Sequence, residues 1–321
     1  MEKKRIAYID FIKVFAMFLV TYGHCAQSLS CQTFPQRYIP NDLFISIHMP
    51  LFMIASGFVI NIDKIRFTPI KDYIYARISR LVIPMIIWIL IYCLLTIQKP
   101  DFNSIFKIYW YLSALFFSLV IIKFLSTLIK RNTMLILTSL ILVLIVPLSK
   151  TSHINFMFPF LIYGYLLKKF TNKINYSAAI ITGVTFIWLY LRYWSIQHTV
   201  YLSPLNTLDI NQGMIYSFLL RLLIGITGST FIFIIAKYFD KSTFVQKISV
   251  YGRYTLVFYT MTTVINGVTR RIFSFMDFEI LNPLFLDVSS ICFALLQMYI
   301  IYNFAKVIEK KHILSKLLLG N

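Results

Sequence analysis

Apolar and polar positions along the chain fall into long blocks rather than short alternations. Ten stretches, roughly 7–28, 42–62, 80–98, 108–129, 134–150, 154–170, 177–195, 213–239, 253–273 and 284–306, are predominantly apolar and are parted by short polar segments. A run of about 18 or more such residues can cross the hydrocarbon core of a bilayer as a helix. Their continuity excludes a transmembrane β-barrel, whose strands alternate with a period of two. The fifth and sixth stretches are the shortest, divided only by Lys150-Thr151-Ser152-His153. The expected fold is all-α: a polytopic integral membrane protein of about ten transmembrane helices, with residues 1–321 forming a single transmembrane domain and no soluble domain appended.

Charge gives this architecture an orientation. Only 13% of residues are charged while 59% are hydrophobic, too little polar surface to coat a soluble particle. The net charge of +19 would suggest a nucleic-acid partner in a soluble protein, but no basic domain lies outside the apolar runs. With both termini cytoplasmic, 22 of the 31 basic residues fall in inner segments, among them Lys123, Lys130 and Arg131, and seven fall outside, including Arg37, Lys99, Lys107, Lys150, Arg270 and Arg271. That asymmetry is the positive-inside pattern, and a miscount by one helix would scramble it; another even number would not. Lys3, Lys4 and Arg5 precede the first run, yet Asp10 and Lys13 interrupt it, so it reads as a retained helix and not a cleaved signal. The cysteines Cys25, Cys31, Cys93 and Cys292 have no metal-binding spacing, and whether Cys25 pairs with Cys31 is left open.

Ionisable residues at bilayer depth cost at least about 2.5–3.5 kcal/mol and therefore mark candidate sites. They are Asp10, Lys13 and His24 in the first run, His48 in the second and Arg221 in the eighth; Asp287, near the start of the tenth, reads as interfacial. Lys13 and His24 are eleven positions apart, which puts both on one helical face, about 16 Å apart along the axis. Asp10, three before Lys13, shares that face. Two readings stand: Asp10 and Lys13 as a structural ion pair with an interfacial His24, or one functional stripe facing the bundle interior.

These residues carry a resemblance. Asp10-x-x-Lys13-x10-His24 resembles the first-helix pattern of the acyltransferase-3 family of membrane-bound O-acyltransferases, in which a basic residue precedes a histidine at this spacing. His48-Met49-Pro50 through Ser56-Gly57-Phe58 is similar to the family's second helix, Arg77-Ile78-Ser79-Arg80 to its Arg-x-x-Arg, Trp110-Tyr111-Leu112 to its aromatic motif, and Gly252-Arg253-Tyr254-Thr255-Leu256 with Tyr259 to a late-helix pattern. The resemblance spans nearly the whole chain and leans to the sugar O-acetylase branch. Two departures stand out. Lys13 replaces the usual Arg, keeping the charge but losing the bidentate fork, and Thr262 replaces a histidine.

The resemblance implies a multi-pass acyltransferase of the bacterial inner (cytoplasmic) membrane that moves an acetyl group from acetyl-CoA, or another acyl-CoA, to a hydroxyl of a cell-surface or lipid-linked carbohydrate. Acyl-CoA is then a co-substrate, with no permanently bound cofactor and no metal. A neutral imidazole at His24 suits a general base, or a nucleophile that carries the acyl group briefly. Lys13 either stabilises developing negative charge or meets the donor from the cytoplasmic side, and Asp10 orients it. Arg77 and Arg80 would hold CoA phosphates, although the positive-inside pattern alone also places basic residues there. His48, Trp110 and Arg221 are candidates for the acceptor site. For His48 a structural histidine at the helix start is the other reading; for Trp110, an interfacial aromatic. Ser56 and Gly57 read as a close helix contact. The competing function is a transporter or flippase of a glycan or lipid-linked sugar, a class also built from many helices with few buried charges.

Overall fold

The computed structural model describes residues 5–32, 41–97, 108–145, 153–171, 174–194 and 212–320. Their regular structure is helical throughout, with no strand among the described residues. In chain order the helices are α1 (Ala7–Leu29), α2 (Asn41–Phe58), α3 (Ile62–Phe67), α4 (Ile70–Arg77), α5 (Ile83–Thr96), α6 (Trp110–Leu128), α7 (Asn132–Ile145), α8 (Ile154–Phe170) and α9 (Tyr176–Tyr193). They continue with α10 (Gln212–Tyr238), α11 (Thr243–Ser249), α12 (Thr255–Phe275), α13 (Pro283–Glu309) and α14 (His312–Leu314). Each of the ten apolar stretches carries a helix. Among the described residues five helices are long and apolar enough to cross a membrane: Ala7–Leu29, Ile70–Thr96, Trp110–Leu128, Ile215–Tyr238 and Pro283–Glu309. This is the composition of a multi-pass membrane protein. Lys3, Lys4, Arg37, Lys99, Lys107, Lys150 and Lys173, counted in the charge pattern, lie outside the described residues.

Local chemistry sets several boundaries. Asn61, Asn175, Ser242 and Asn282 each accept a hydrogen bond from the backbone N–H three residues on, capping α3, α9, α11 and α13. Each such cap contributes about 1 kcal/mol by satisfying a donor that the first helical turn leaves unpaired. Between α4 and α5 the chain widens into a π-turn, Ile78–Val82. Pro84 follows directly; its ring would press on the carbonyl four residues earlier in a regular helix, and a wide turn relieves that clash.

The chain divides into two compact units. The first comprises Met1–His48, Ile83–Ile108 and Ala236–Asn321; the second comprises Met49–Val82 and Tyr109–Ile235. In the first unit α1 packs against α11, α12 and α13, and α12 also packs against α5.

The second unit is held by two devices. At Gly57 on α2 an added Cβ would lie 1.9 Å from the Leu161 carbonyl oxygen, and at Gly164 on α8 one would lie 2.1 Å from that of Ile54. The two backbones therefore meet reciprocally, each glycine lying three residues beyond the carbonyl that the other glycine touches, as the reading of Gly57 anticipated. The other device is Lys123. Grouped with the cytoplasmic segments in the sequence, it lies on α6 and is 1% exposed. Its ammonium donates to the carbonyls of Ile65 (2.9 Å), Arg66 (3.1 Å) and Thr68 (2.6 Å). All three N–H donors are thereby used, and the acceptors are C-terminal carbonyls of α3 that its own helix leaves unbonded.

Replacing Lys123 with Met should strand those carbonyls and cost about 2–4 kcal/mol. A lowered apparent melting temperature of the detergent-purified protein checks this; an unchanged one contradicts the capping role.

Candidate active site

The polar stripe of α1 begins in its first turn. The Tyr8 N–H, one of the donors a helix start leaves open, donates to Asp240 Oδ1 at 2.9 Å. Asp10 is 6% exposed and accepts from Arg5 Nε at 2.8 Å, while Lys13 Nζ lies 3.7 Å from its other oxygen. The carboxylate is thus shared by two cations, of which Arg5 is the nearer. Gly252 closes over it: a Cβ there would stand 2.5 Å from Asp10 Cβ. Gly252 belongs to a 3-10 turn, Val250–Tyr254, between α11 and α12. Tyr254 donates to Glu309 Oε2 at 2.6 Å and Arg253 to Oε1 at 3.2 Å, tying this turn to the end of α13. The late-helix motif Gly252-Arg253-Tyr254 is therefore the cover of the Asp10 pair.

Above Lys13 the stripe turns apolar. Met17 and Val20 are buried, and it becomes polar again at His24 and Gln27. His24 is exposed although Tyr22, Cys25 and Ala26 around it are buried. Open space adjoins the preceding residue as well, since a Cβ on Gly23 would meet nothing within 4 Å. Gln27, about one turn on, is near enough to the imidazole to act on it.

The backbone carrying His24 is pinned by hydrogen bonds that the sequence did not single out. Thr21 and Thr262 share a hydroxyl contact of 3.2 Å, so Thr262, the position that departs from the resembled pattern, joins α12 to α1. Ser28 hydroxyl lies 2.9 Å from the His24 carbonyl and 3.0 Å from the Asn266 carbonyl, with one proton to donate to either. The Asn266 and Gln297 amides exchange bonds of 3.1 and 3.3 Å. The Tyr22 hydroxyl donates to Asp287, which is 1% exposed and so a buried acceptor. The Thr21–Thr262 and Ser28–Asn266 pairs run α12 parallel to α1; α13 runs antiparallel to both, since its end at Glu309 meets the turn over Asp10 and Ile280, just before its start, donates to the Leu29 carbonyl. The signal that could have revealed them is the set of neutral polar residues within apolar helices, each needing a partner inside the bundle.

The remaining candidates are placed as follows. His48 Nδ1 lies 2.8 Å from the Phe44 carbonyl on its own helix. A carbonyl only accepts, so Nδ1 carries the proton in this contact. Phe44 packs edge-on against Tyr22, with ring centroids 5.5 Å apart. Arg77, Arg80, Trp110 and Arg221 belong to the second unit. The π-turn starting at Ile78 breaks the regular spacing expected between Arg77 and Arg80. Arg77 is half-buried with its guanidinium 4.8 Å from the Tyr73 ring, while Arg80 is exposed. The Trp110 ring meets His153 edge-on at 5.2 Å. Arg221, 5% exposed, stacks on the Trp194 ring at 3.4 Å, which gives the buried charge an aromatic face. Cys25 and Cys31 are both free. The Cys31 thiol is held above its ordinary value by burial and Glu279, against the pull of Arg270. Among the described residues no group of three His, Cys, Asp or Glu side chains is arranged to hold a metal ion.

A family model described as an acyltransferase domain matches residues 6–303. Nodulation protein NolL of Mesorhizobium japonicum is 29% identical over 199 residues, covering 57% of this chain and 52% of that protein. The chain thus spans about half the length of this curated relative. No solved structure matches it.

His153, directly before α8, has its pKa lowered by burial to about 4. The fold prefers the neutral imidazole, so the unfolded chain takes up the proton first as pH falls. Stability should drop as pH falls from about 6.5 toward 4. Melting temperature against pH checks this: His153→Gln should flatten that limb, and an unaltered slope contradicts it.

Proposed function

Because the chain belongs to the acyltransferase-3 family, we propose that it is a membrane-bound O-acyltransferase that moves an acetyl group from cytoplasmic acetyl-CoA to a hydroxyl of a cell-surface or lipid-linked carbohydrate, with His24 as general base. The observation that carries this reading is the α1 stripe: an accessible imidazole, on a backbone pinned by neighbouring helices, three turns from a paired ammonium.

The imidazole of His24 takes the acceptor's hydroxyl proton as that oxygen attacks the thioester carbonyl. The tetrahedral oxyanion collapses, the C–S bond breaks, and the thiolate leaves with the proton that His24 accepted. Gln27 orients the ring. Lys13 is about 16 Å from His24 along the helix, too far to touch the same carbonyl. Of its two candidate roles, meeting the donor nearer the cytoplasmic end is the one compatible with that offset. Asp10, with Arg5, holds the ammonium in place.

Arg77 and Arg80 are assigned to the CoA phosphates. His48, Trp110 and Arg221 are assigned to the acceptor side; Trp110 and Arg221 act there as parts of aromatic pairs with His153 and Trp194. In this reading about ten helices cross the bacterial inner membrane with both termini in the cytoplasm, so the Lys13 end of α1 faces the donor and the His24 end the acceptor.

His24→Ala should reduce the ester content of the surface glycan to that of a strain lacking the protein, while the variant remains in the membrane fraction at normal abundance. Wild-type ester content in that strain would sink the assignment of the base.

A further inference from the structure

A second polar feature lies at the same end of the first unit as His24. A cleft of about 560 Å³ opens between α5 and α12, lined by Tyr92, Thr96, Gly267, Arg270, Arg271 and Ser274. We propose that this cleft binds the phosphoryl or pyrophosphoryl group of a phosphate-bearing glycan acceptor; the inference rests on the acyltransferase reading and names its substrate class.

Gly267, Arg270, Arg271 and Ser274 follow the i, i+3, i+4, i+7 spacing of one helical face. Gly267 lets Tyr92 lie against the α12 backbone, since a Cβ there would be 2.4 Å from Tyr92 Cε2. The cleft thus has an aromatic wall beside two guanidinium groups and two hydroxyls, a combination suited to a sugar ring joined to a phosphate. Arg270 is oriented by a bond from Nη2 to the Cys31 carbonyl at 3.0 Å, which uses one of its five donors. Among the described residues neither arginine has a carboxylate within 4.0 Å, although Glu279 is near enough to act on Cys31.

Two adjacent cations repel one another, and a dianion relieves that repulsion. The negative end of the α12 dipole favours a cation by only about 0.3–1 kcal/mol and does not call for a cleft. Arg270 and Arg271 also stand on the side that the positive-inside pattern leaves poor in basic residues. The Cys31 contact places the cleft about 10 Å beyond His24 along the α1 direction. A glycan held there by its phosphate offers the neighbouring sugar hydroxyls toward the His24 end.

The test is calorimetric titration of inorganic pyrophosphate into the full-length protein in phosphatidylcholine nanodiscs, without acyl donor. Wild type should bind, and Arg271→Gln, which alters an exposed side chain, should weaken binding about ten-fold with Arg271→Lys in between. His24→Ala should bind as wild type does. No binding, or equal binding by Arg271→Gln, overturns the proposal. Loss of binding in phosphatidylglycerol nanodiscs also overturns it, because the cleft would then hold a lipid headgroup. Pyrophosphate binding by a protein that never cleaves a thioester would instead sink the acyltransferase reading alone.

Discussion

A carboxylate on a membrane-crossing helix is stable only when it is both paired and covered, and Asp10 meets both demands at once. Arg5 and Lys13 supply the charge, and Gly252 supplies the cover by letting a backbone turn settle on the Asp10 side chain. An uncompensated buried charge would cost several kcal/mol, so this arrangement fixes where α12 begins relative to α1. From that start α12 runs parallel to α1, which brings Thr262 to Thr21 and Asn266 to Ser28. The position of His24 follows from the way Asp10 is buried. Pairing at Asp10 and the role proposed for His24 are therefore compatible in one stripe: the ion pair at its lower end helps to hold the upper end in register.

Much of this was legible in the sequence because the bilayer simplifies the problem. Continuous apolar runs located the helices, and the spacing from Asp10 to His24 located their shared face. Local rules also held at Gly57, where a small residue in an apolar helix meant a backbone-to-backbone contact. What could not be read were facts of tertiary pairing. Nothing in the run around Asn266 says that its partner is Gln297, or that Asp287 receives the Tyr22 hydroxyl. Neutral polar residues carry no charge asymmetry, and either residue would have suited an interface equally well.

Lys123 and the Arg77–Arg80 pair show the same boundary from the other side. Lys123 follows the charge rule in sequence, yet in the fold it is spent on the last carbonyls of α3. Its role depends on a six-residue helix nearly sixty positions away, which no local pattern connects to it. The two arginines are three positions apart in sequence, but the π-turn widens the helix just there. Pro84 was the available signal for that disturbance, and it lies four residues beyond Arg80. Arg221 is buried, and one face that meets it is the aromatic ring of Trp194.

Acyl transfer at the accessible end of the α1 stripe is the function proposed for this protein. It is tested most directly by supplying the purified, reconstituted protein with acetyl-CoA labelled on the acetyl group, together with a membrane extract of acceptor glycan. Label should appear in ester linkage on the glycan with release of free CoA thiol, and both should cease when His24 is replaced with Ala. Movement of intact glycan across the vesicle membrane without thioester cleavage, or undiminished label transfer by the His24 variant, would contradict it.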